Sequence, residues 1–227
     1  NNRGKNEPQQ EAGTLKYARL WIGLALVFVF SFAVLGYYGG EIYQAKPPIP
    51  RRVVTTAGDV LFTEKDILEG QNVWQSMGGQ EIGTVWGHGA YTAPDWTADW
   101  LHRECLWILD AWANREFGTP YDQLDEEKQA ALRSRLQKEM RTNTYDPQTG
   151  DLVISPIRAE AYAEISKHYA SLFTNDPKFA ALRDDYALQE HAVKDQGRVR
   201  SLTTFLWWAT WACATNRPGD TVTYTNN

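Results

Sequence analysis

The sequence has few cysteines and lacks the common metal-binding motifs. Cys105 and Cys213 are its only two cysteines, and neither belongs to a CxxC or CxxCH motif. The sequence therefore contains neither a zinc-finger spacing nor an attachment motif for c-type haem. Both cysteines have apolar neighbours, among which a free thiol behaves as a small hydrophobic side chain. The sequence does not decide whether the two cysteines form a disulfide, because it does not give the distance between them.

An excess of basic residues is also missing. The chain has 23 Lys and Arg residues against 28 Asp and Glu residues, which gives a net charge of −5. A nucleic-acid partner is therefore not expected. With 227 residues, the chain is long enough for one domain of ordinary size and an appendage.

One long run contains no charged residue. Residues 20–40 read LWIGLALVFVFSFAVLGYYGG, and at about 1.5 Å per residue they span the roughly 30 Å hydrocarbon core of a bilayer. We predict a transmembrane helix over residues 16–41, preceded by a polar, mobile tail over 1–15. Lys and Arg residues are slightly more numerous before the helix than after it, which favours a cytoplasmic N-terminus.

After a Pro-rich linker over residues 42–50, we predict a mainly α-helical domain with short β-hairpins over residues 51–227. A hairpin is expected at 52–56 and 60–63, and a second pair of extended segments at 141–145 and 151–154. One helix begins at Asp95 or Thr97 and ends at Gly118. The uncharged run at 202–215 is too short to span a bilayer and is expected to be a buried or interfacial helix.

A segment rich in tryptophan and glycine, residues 71–100, is the main candidate for function. Its aromatic rings offer large apolar surfaces, and its glycines let the backbone approach a bulky neighbour. A well-packed core is the simpler interpretation, and we expect Trp100 there, on a helix apolar on nearly every face. The alternative is contact with another protein surface or with a large flat ligand. The candidates for such contact are Trp86, His88, Asp95, Asp99 and His102.

Several motifs in this chain resemble the N-terminal region of quinol-dependent nitric oxide reductases, in the haem-copper oxidase superfamily. They are QSMGGQ at 75–80, WGHGAY at 86–91, APDW at 93–96, ADWLHRE at 98–104, TNRPG at 215–219 and YTNN at 224–227. The resemblance covers nearly the whole chain after the tail. It implies an anchored, cytochrome-c-like domain in front of a large helical membrane core.

The resemblance implies a function in denitrification. The full-length enzyme would reduce two NO to N2O and water with electrons from quinol, using haem b, haem b3 and a non-haem iron in its core. No catalytic, cofactor-binding or metal-binding residue is carried onto residues 1–227, and we expect the chain to continue beyond Asn227. The expected partners are membrane lipid, the catalytic core of the same polypeptide and quinol. Residues 51–227 would lie on the periplasmic side of the inner membrane.

The domain itself is expected to be free of haem. Where a cytochrome c carries its haem-binding motif, after the first helix, residues 76–80 contain neither cysteine nor histidine. Side chains of Trp, Met and Tyr would fill the vacant pocket. The alternative function is a membrane-anchored, extracytoplasmic ligand-binding or sensor domain.

Overall fold

The computed structural model describes residues 7–87 and 89–226, which divide into two compact units. The first unit ends at Lys46 and the second begins at Pro47. Within the described residues, the chain forms seven α-helices and one three-stranded sheet. This confirms the prediction of a mainly α-helical chain with one N-terminal apolar helix and small β elements.

The first unit contains helix α1, Glu7–Ala45. Its part from Tyr17 to Ala45 is long and apolar enough to cross a membrane. The helix begins within the predicted tail, whose first six residues lie outside the described ones. Gln, Glu and Ala residues there favour helix, and extending an existing helix gains one hydrogen bond per residue. It continues past residue 41 because the first residues that oppose a helix are the prolines at 47 and 48.

The second unit begins with a sheet of strand order β2-β1-β3. Strands β1, Arg52–Thr55, and β2, Val60–Thr63, form the predicted antiparallel hairpin. The second expected hairpin forms only in part: Tyr145 makes one antiparallel bridge to Leu152 across the turn at 146–150. The longer pairing of β3, Asp151–Ile154, is parallel and joins it to β1. Pairing with β1 makes β1 the central strand and buries Leu152 and Ile154 in the main core.

Helices α2, Glu64–Ser76, and α7, Gln196–Ala214, cross at very short range. A Cβ atom added to Gly70 on α2 would lie 2.0 Å from the backbone oxygen of Ser201 on α7. Only glycine permits this approach. Trp74 of α2 and Phe205 of α7 pack beside the crossing, with ring centroids 5.7 Å apart. Helix α7 is buried along nearly its whole length, which confirms the prediction of a buried helix.

The remaining helices enclose the α2–α7 pair and add a second, smaller core. They are α3, Trp96–Phe117, α4, Glu126–Arg141, α5, Pro156–Phe173, and α6, Ala180–Asp185. As predicted, α3 begins after Asp95 and ends at Gly118. Its first half contributes to the main core and its second half packs with α4 in the smaller core. The described residues between α2 and α3, 77–87 and 89–95, pack against the main core.

Candidate functional site

The carboxylate of Asp95 holds the loop that precedes α3. Its Oδ1 accepts hydrogen bonds from the backbone N–H groups of Thr97 and Ala98, each at 3.0 Å, and from the Thr97 hydroxyl. Its Oδ2 accepts from the Thr84 hydroxyl and the Gly87 N–H, both at 2.7 Å. Partial burial raises the pKa of Asp95, but hydrogen bonds from Thr97, Gly87, Thr84 and Ala98 outweigh it and lower the pKa overall. We call this arrangement the Asp95 clasp.

The clasp presents Trp86 at the surface in an uncommon backbone conformation. Trp86 has a φ of 56°, in the left-handed region that few side chains other than glycine adopt. Its indole N–H donates to the carbonyl of Ala209 on α7 at 2.7 Å, and its ring lies 5.6 Å from that of Trp208. The side chain is nevertheless 40% exposed. The Trp86 ring is thus held against α7 on one edge and exposed to solvent on the other.

Beside Trp86 opens a cleft of about 840 Å³ between α3, α4 and the end of α7. Its walls include Leu101, Leu136 and Met140, and both cysteines line it. The cysteines are free thiols, and burial raises the pKa of Cys105 to about 11 and that of Cys213 to about 12. Both stay protonated at neutral pH, so neither provides the thiolate that nucleophilic catalysis needs.

Asp99 belongs to a second polar group on the other side of α3. Its Oδ2 accepts a hydrogen bond from the Tyr169 hydroxyl at 2.6 Å and one from Nε of Arg103 at 2.9 Å. Burial raises the pKa of Tyr169, and the neighbouring Asp99 charge raises it further. The same tyrosine stacks on Trp100 with ring centroids 4.9 Å apart. Asp99 therefore joins α3 to α5.

A buried ion pair lies in the core next to these aromatic rings. Nε of Arg158 donates to Oε1 of Glu104 at 2.9 Å, and both side chains are almost fully buried. The indole N–H of Trp100 donates to the other oxygen of Glu104 at 3.1 Å. The Arg158 guanidinium also lies over the Trp207 ring, 5.4 Å from its centroid. Glu104 is an acidic residue on a largely apolar helix, and its partner Arg158, on α5, is not among the residues predicted from the sequence.

The predicted site residues do not converge. Trp86 and Asp95 line the same cleft, Asp99 faces α5, and His102 is exposed on α3. His88 lies outside the described residues. Trp100 is fully buried, as predicted for a core residue. The carboxylates of Asp95 and Asp99 both accept hydrogen bonds within the domain. Contact of the predicted residues with a membrane core or a quinol stays a prediction.

Over 7–87 and 89–226 no three His, Cys, Asp or Glu side chains are grouped so that they could hold a metal ion. Comparison with known families matches residues 50–227 to the NorB cytochrome c-like domain of nitric oxide reductase. The search of curated proteins found no match to this chain.

Proposed function

Because this chain belongs to the family of NorB cytochrome c-like domains of nitric oxide reductase, we propose that it is the N-terminal part of a quinol-oxidising nitric oxide reductase. The full-length enzyme would convert two NO, two electrons and two protons into N2O and water. Its haem b, haem b3 and non-haem iron would be bound by a catalytic membrane core of the same polypeptide. Residues 1–227 would anchor the enzyme through α1 and cover that core from the periplasmic side of the inner membrane.

The packing around Trp96 is the observation that carries the haem-free part of this proposal. A haem attached through CxxCH would sit after α2, where residues 76–80 offer no thiol and no imidazole. In the structure, Gly83 of that loop touches Trp96 so closely that an added Cβ would lie 2.2 Å from its Nε1. Trp96 and Trp100 are both fully buried behind this loop. These residues do not fit a covalently bound haem.

The choice of quinol follows from the same packing. A soluble cytochrome c donor would need a redox group in this domain to pass its electrons to the membrane core. Trp74, Trp96 and Trp100 belong to the packed main core, and residues 76–80 offer no thiol or imidazole to hold such a group. Quinol dissolved in the membrane could deliver its electrons directly to the core. The proposed electron route therefore bypasses residues 47–227.

The exposed aromatic surface supports contact between this domain and the core. Trp86 is 40% exposed and Tyr91 projects fully into solvent, both in the segment that the Asp95 clasp holds. Exposed aromatic side chains on a rigid support are typical of protein interfaces. Trp86 would then become buried only in the full-length enzyme.

The donor is tested by measuring NO consumption by the full-length enzyme with reduced quinol and with reduced cytochrome c. We expect turnover with quinol, and none with cytochrome c. Residues 1–227 alone serve as the control and should consume no NO with either donor. Turnover supported by cytochrome c but not by quinol would overturn the proposed donor.

The orientation is tested by cysteine labelling in a chain whose Cys105 and Cys213 are replaced by alanine. A single cysteine is introduced at Gln9, before the apolar part of α1, or at Thr149, which is exposed on the second unit. A reagent that does not cross membranes should label Thr149→Cys in spheroplasts and Gln9→Cys only after lysis. Labelling of both positions in intact spheroplasts would contradict a single membrane span.

A further inference from the structure

A smaller cleft of about 290 Å³ lies where the end of α4, the start of α5 and the sheet meet. Its lining is rich in basic side chains and hydroxyl groups. The basic residues are Arg135, Lys138 and Arg158, and the hydroxyl residues are Thr56, Thr142, Thr144 and Ser155. Glu139 is the one acidic residue among them. Nothing in the proposed reaction uses this cleft.

Arg158 brings an unsatisfied donor to this cleft. Its Nε is bonded to Glu104, and the second oxygen of that carboxylate is occupied by the indole N–H of Trp100. Its Nη2 is buried and finds no hydrogen-bond acceptor in the described part of the chain. A buried donor without an acceptor destabilises a fold, because it has lost its bonds to water and gained none in return. An acceptor from outside the chain would relieve this cost.

The other charges around the cleft are arranged to favour an anion. The Glu139 carboxylate accepts from the Ser155 hydroxyl at 2.6 Å. Arg135 is held over the Trp112 ring and pairs with Glu116. Lys138 has no ion-pair partner within 7–87 and 89–226 and is exposed at the mouth. The first turn of α5, which Ser155 caps, adds the positive end of a helix dipole.

We infer that this cleft binds a small oxyanion of the phosphate class. The anion's oxygens would accept hydrogen bonds from the buried Arg158 guanidinium, the Lys138 ammonium and the Thr56 hydroxyl, since the Thr142 and Thr144 hydroxyls donate to backbone carbonyls. Guanidinium and ammonium groups beside a helix N-terminus are the usual protein ligands of phosphate oxygens. The basic lining disfavours a metal cation. This inference does not depend on the proposed reductase activity.

The test measures thermal melting of the whole 227-residue chain in phosphatidylcholine nanodiscs while inorganic phosphate replaces chloride at constant ionic strength. We expect a saturable rise in melting temperature. The variant Lys138→Gln should weaken the apparent phosphate affinity roughly five- to tenfold, the effect of losing one charge-assisted hydrogen bond. Arg133→Gln is the matched control, because Arg133 lies on the same helix but lines the larger cleft, and it should leave the affinity unchanged.

A second arm distinguishes free phosphate from a lipid headgroup. In phosphatidylglycerol nanodiscs without added phosphate, a headgroup ligand would raise the melting temperature, and Lys138→Gln would remove that rise. A free phosphate ligand gives the response only in the first arm. No saturable response in either arm, or a response that Lys138→Gln and Arg133→Gln change equally, would overturn the inference.

Discussion

Trp86 and Trp100 belong to one aromatic segment but have opposite surroundings. Trp100 is fully buried, donates its indole N–H to Glu104 and stacks on Tyr169. Trp86 is 40% exposed and has a left-handed backbone conformation. The comparison shows that the high aromatic content of this segment serves two purposes. Trp100 fills the core of the domain, while Trp86 leaves part of its ring exposed at the surface.

The backbone of Trp86 makes the difference sharper. A non-glycine residue in the left-handed region costs on the order of 1 kcal/mol or more and persists only where its surroundings hold it. Here the Asp95 clasp supplies those surroundings through bonds to Gly87, Thr84 and Thr97. Because its ring is 40% exposed and its backbone is strained, Trp86 adds less to the stability of the isolated domain than Trp100 does. The proposed contact with the membrane core would bury Trp86 in the full-length enzyme.

The largest expected effect separates these two tryptophans directly. Trp100→Ala should lower the free energy of unfolding by about 3–5 kcal/mol, because it removes a large buried ring from the core. Trp86→Ala, the matched control, should cost clearly less, because this ring is 40% exposed, although it packs on Trp208 and donates to Ala209. Urea unfolding of the 227-residue chain in detergent, followed by circular dichroism, measures both.

In the full-length reductase, Trp86→Ala should lower assembly or quinol-dependent turnover despite its smaller effect on stability. Equal losses of stability for the two variants would remove the distinction between a core tryptophan and a surface tryptophan. Normal assembly and turnover of Trp86→Ala would leave the surface role without support.

A smaller effect on the free energy of unfolding is expected from Glu104, which accepts the indole N–H of Trp100. Glu104→Gln leaves the buried Arg158 without its counter-charge and should destabilise the domain by about 3 kcal/mol. Glu160→Gln is the control, because it removes the partner of Arg115 from an exposed ion pair and should have a much smaller effect. The same unfolding measurement applies. If the two variants lost similar amounts of unfolding free energy, burial of the Glu104–Arg158 pair would not explain its contribution to stability.

Local patterns predicted much of this fold because the controlling interactions lie close in sequence. The hairpin 52–63, the Asp95 cap and the Gly118 end of α3 each depend on neighbouring residues. The apolar run of α7 was too short to span a bilayer, so its burial was also predictable. In contrast, the parallel pairing of β1 with β3 joins segments far apart in the chain. No local pattern specifies such a pairing.

The candidate site was predicted less well for the same reason. Glu104 stands out as an acidic residue on an apolar helix, but its partner Arg158 lies on α5 and carries no signal of its own. The sequence predicts Asp95 and Asp99 only as candidates for contact with a partner or ligand. Their partners show two separate structural roles: one holds the clasp and the other binds Tyr169. Only the three-dimensional arrangement separates these roles.

The smallest stability effect is expected from the clasp. Asp95→Asn should cost about 1–2 kcal/mol at pH 7, because an amide cannot accept all the hydrogen bonds of the carboxylate. The folded state lowers the pKa of Asp95, so its contribution is complete above the unfolded pKa of about 3.9 and is lost as the pH falls through the lower folded value. Unfolding measured from pH 7 to pH 3 should therefore show the two proteins converging in acid. A constant difference would contradict the role of the charge.

The central proposal is that this domain carries no covalently bound haem. Its most direct test is to express residues 1–227 together with the machinery that attaches c-type haem, and to examine the denatured protein by haem staining and absorbance. Because CxxCH is absent and Gly83 contacts Trp96, we expect no stained band and no Soret absorption. A haem that stays covalently attached after denaturation would contradict the account.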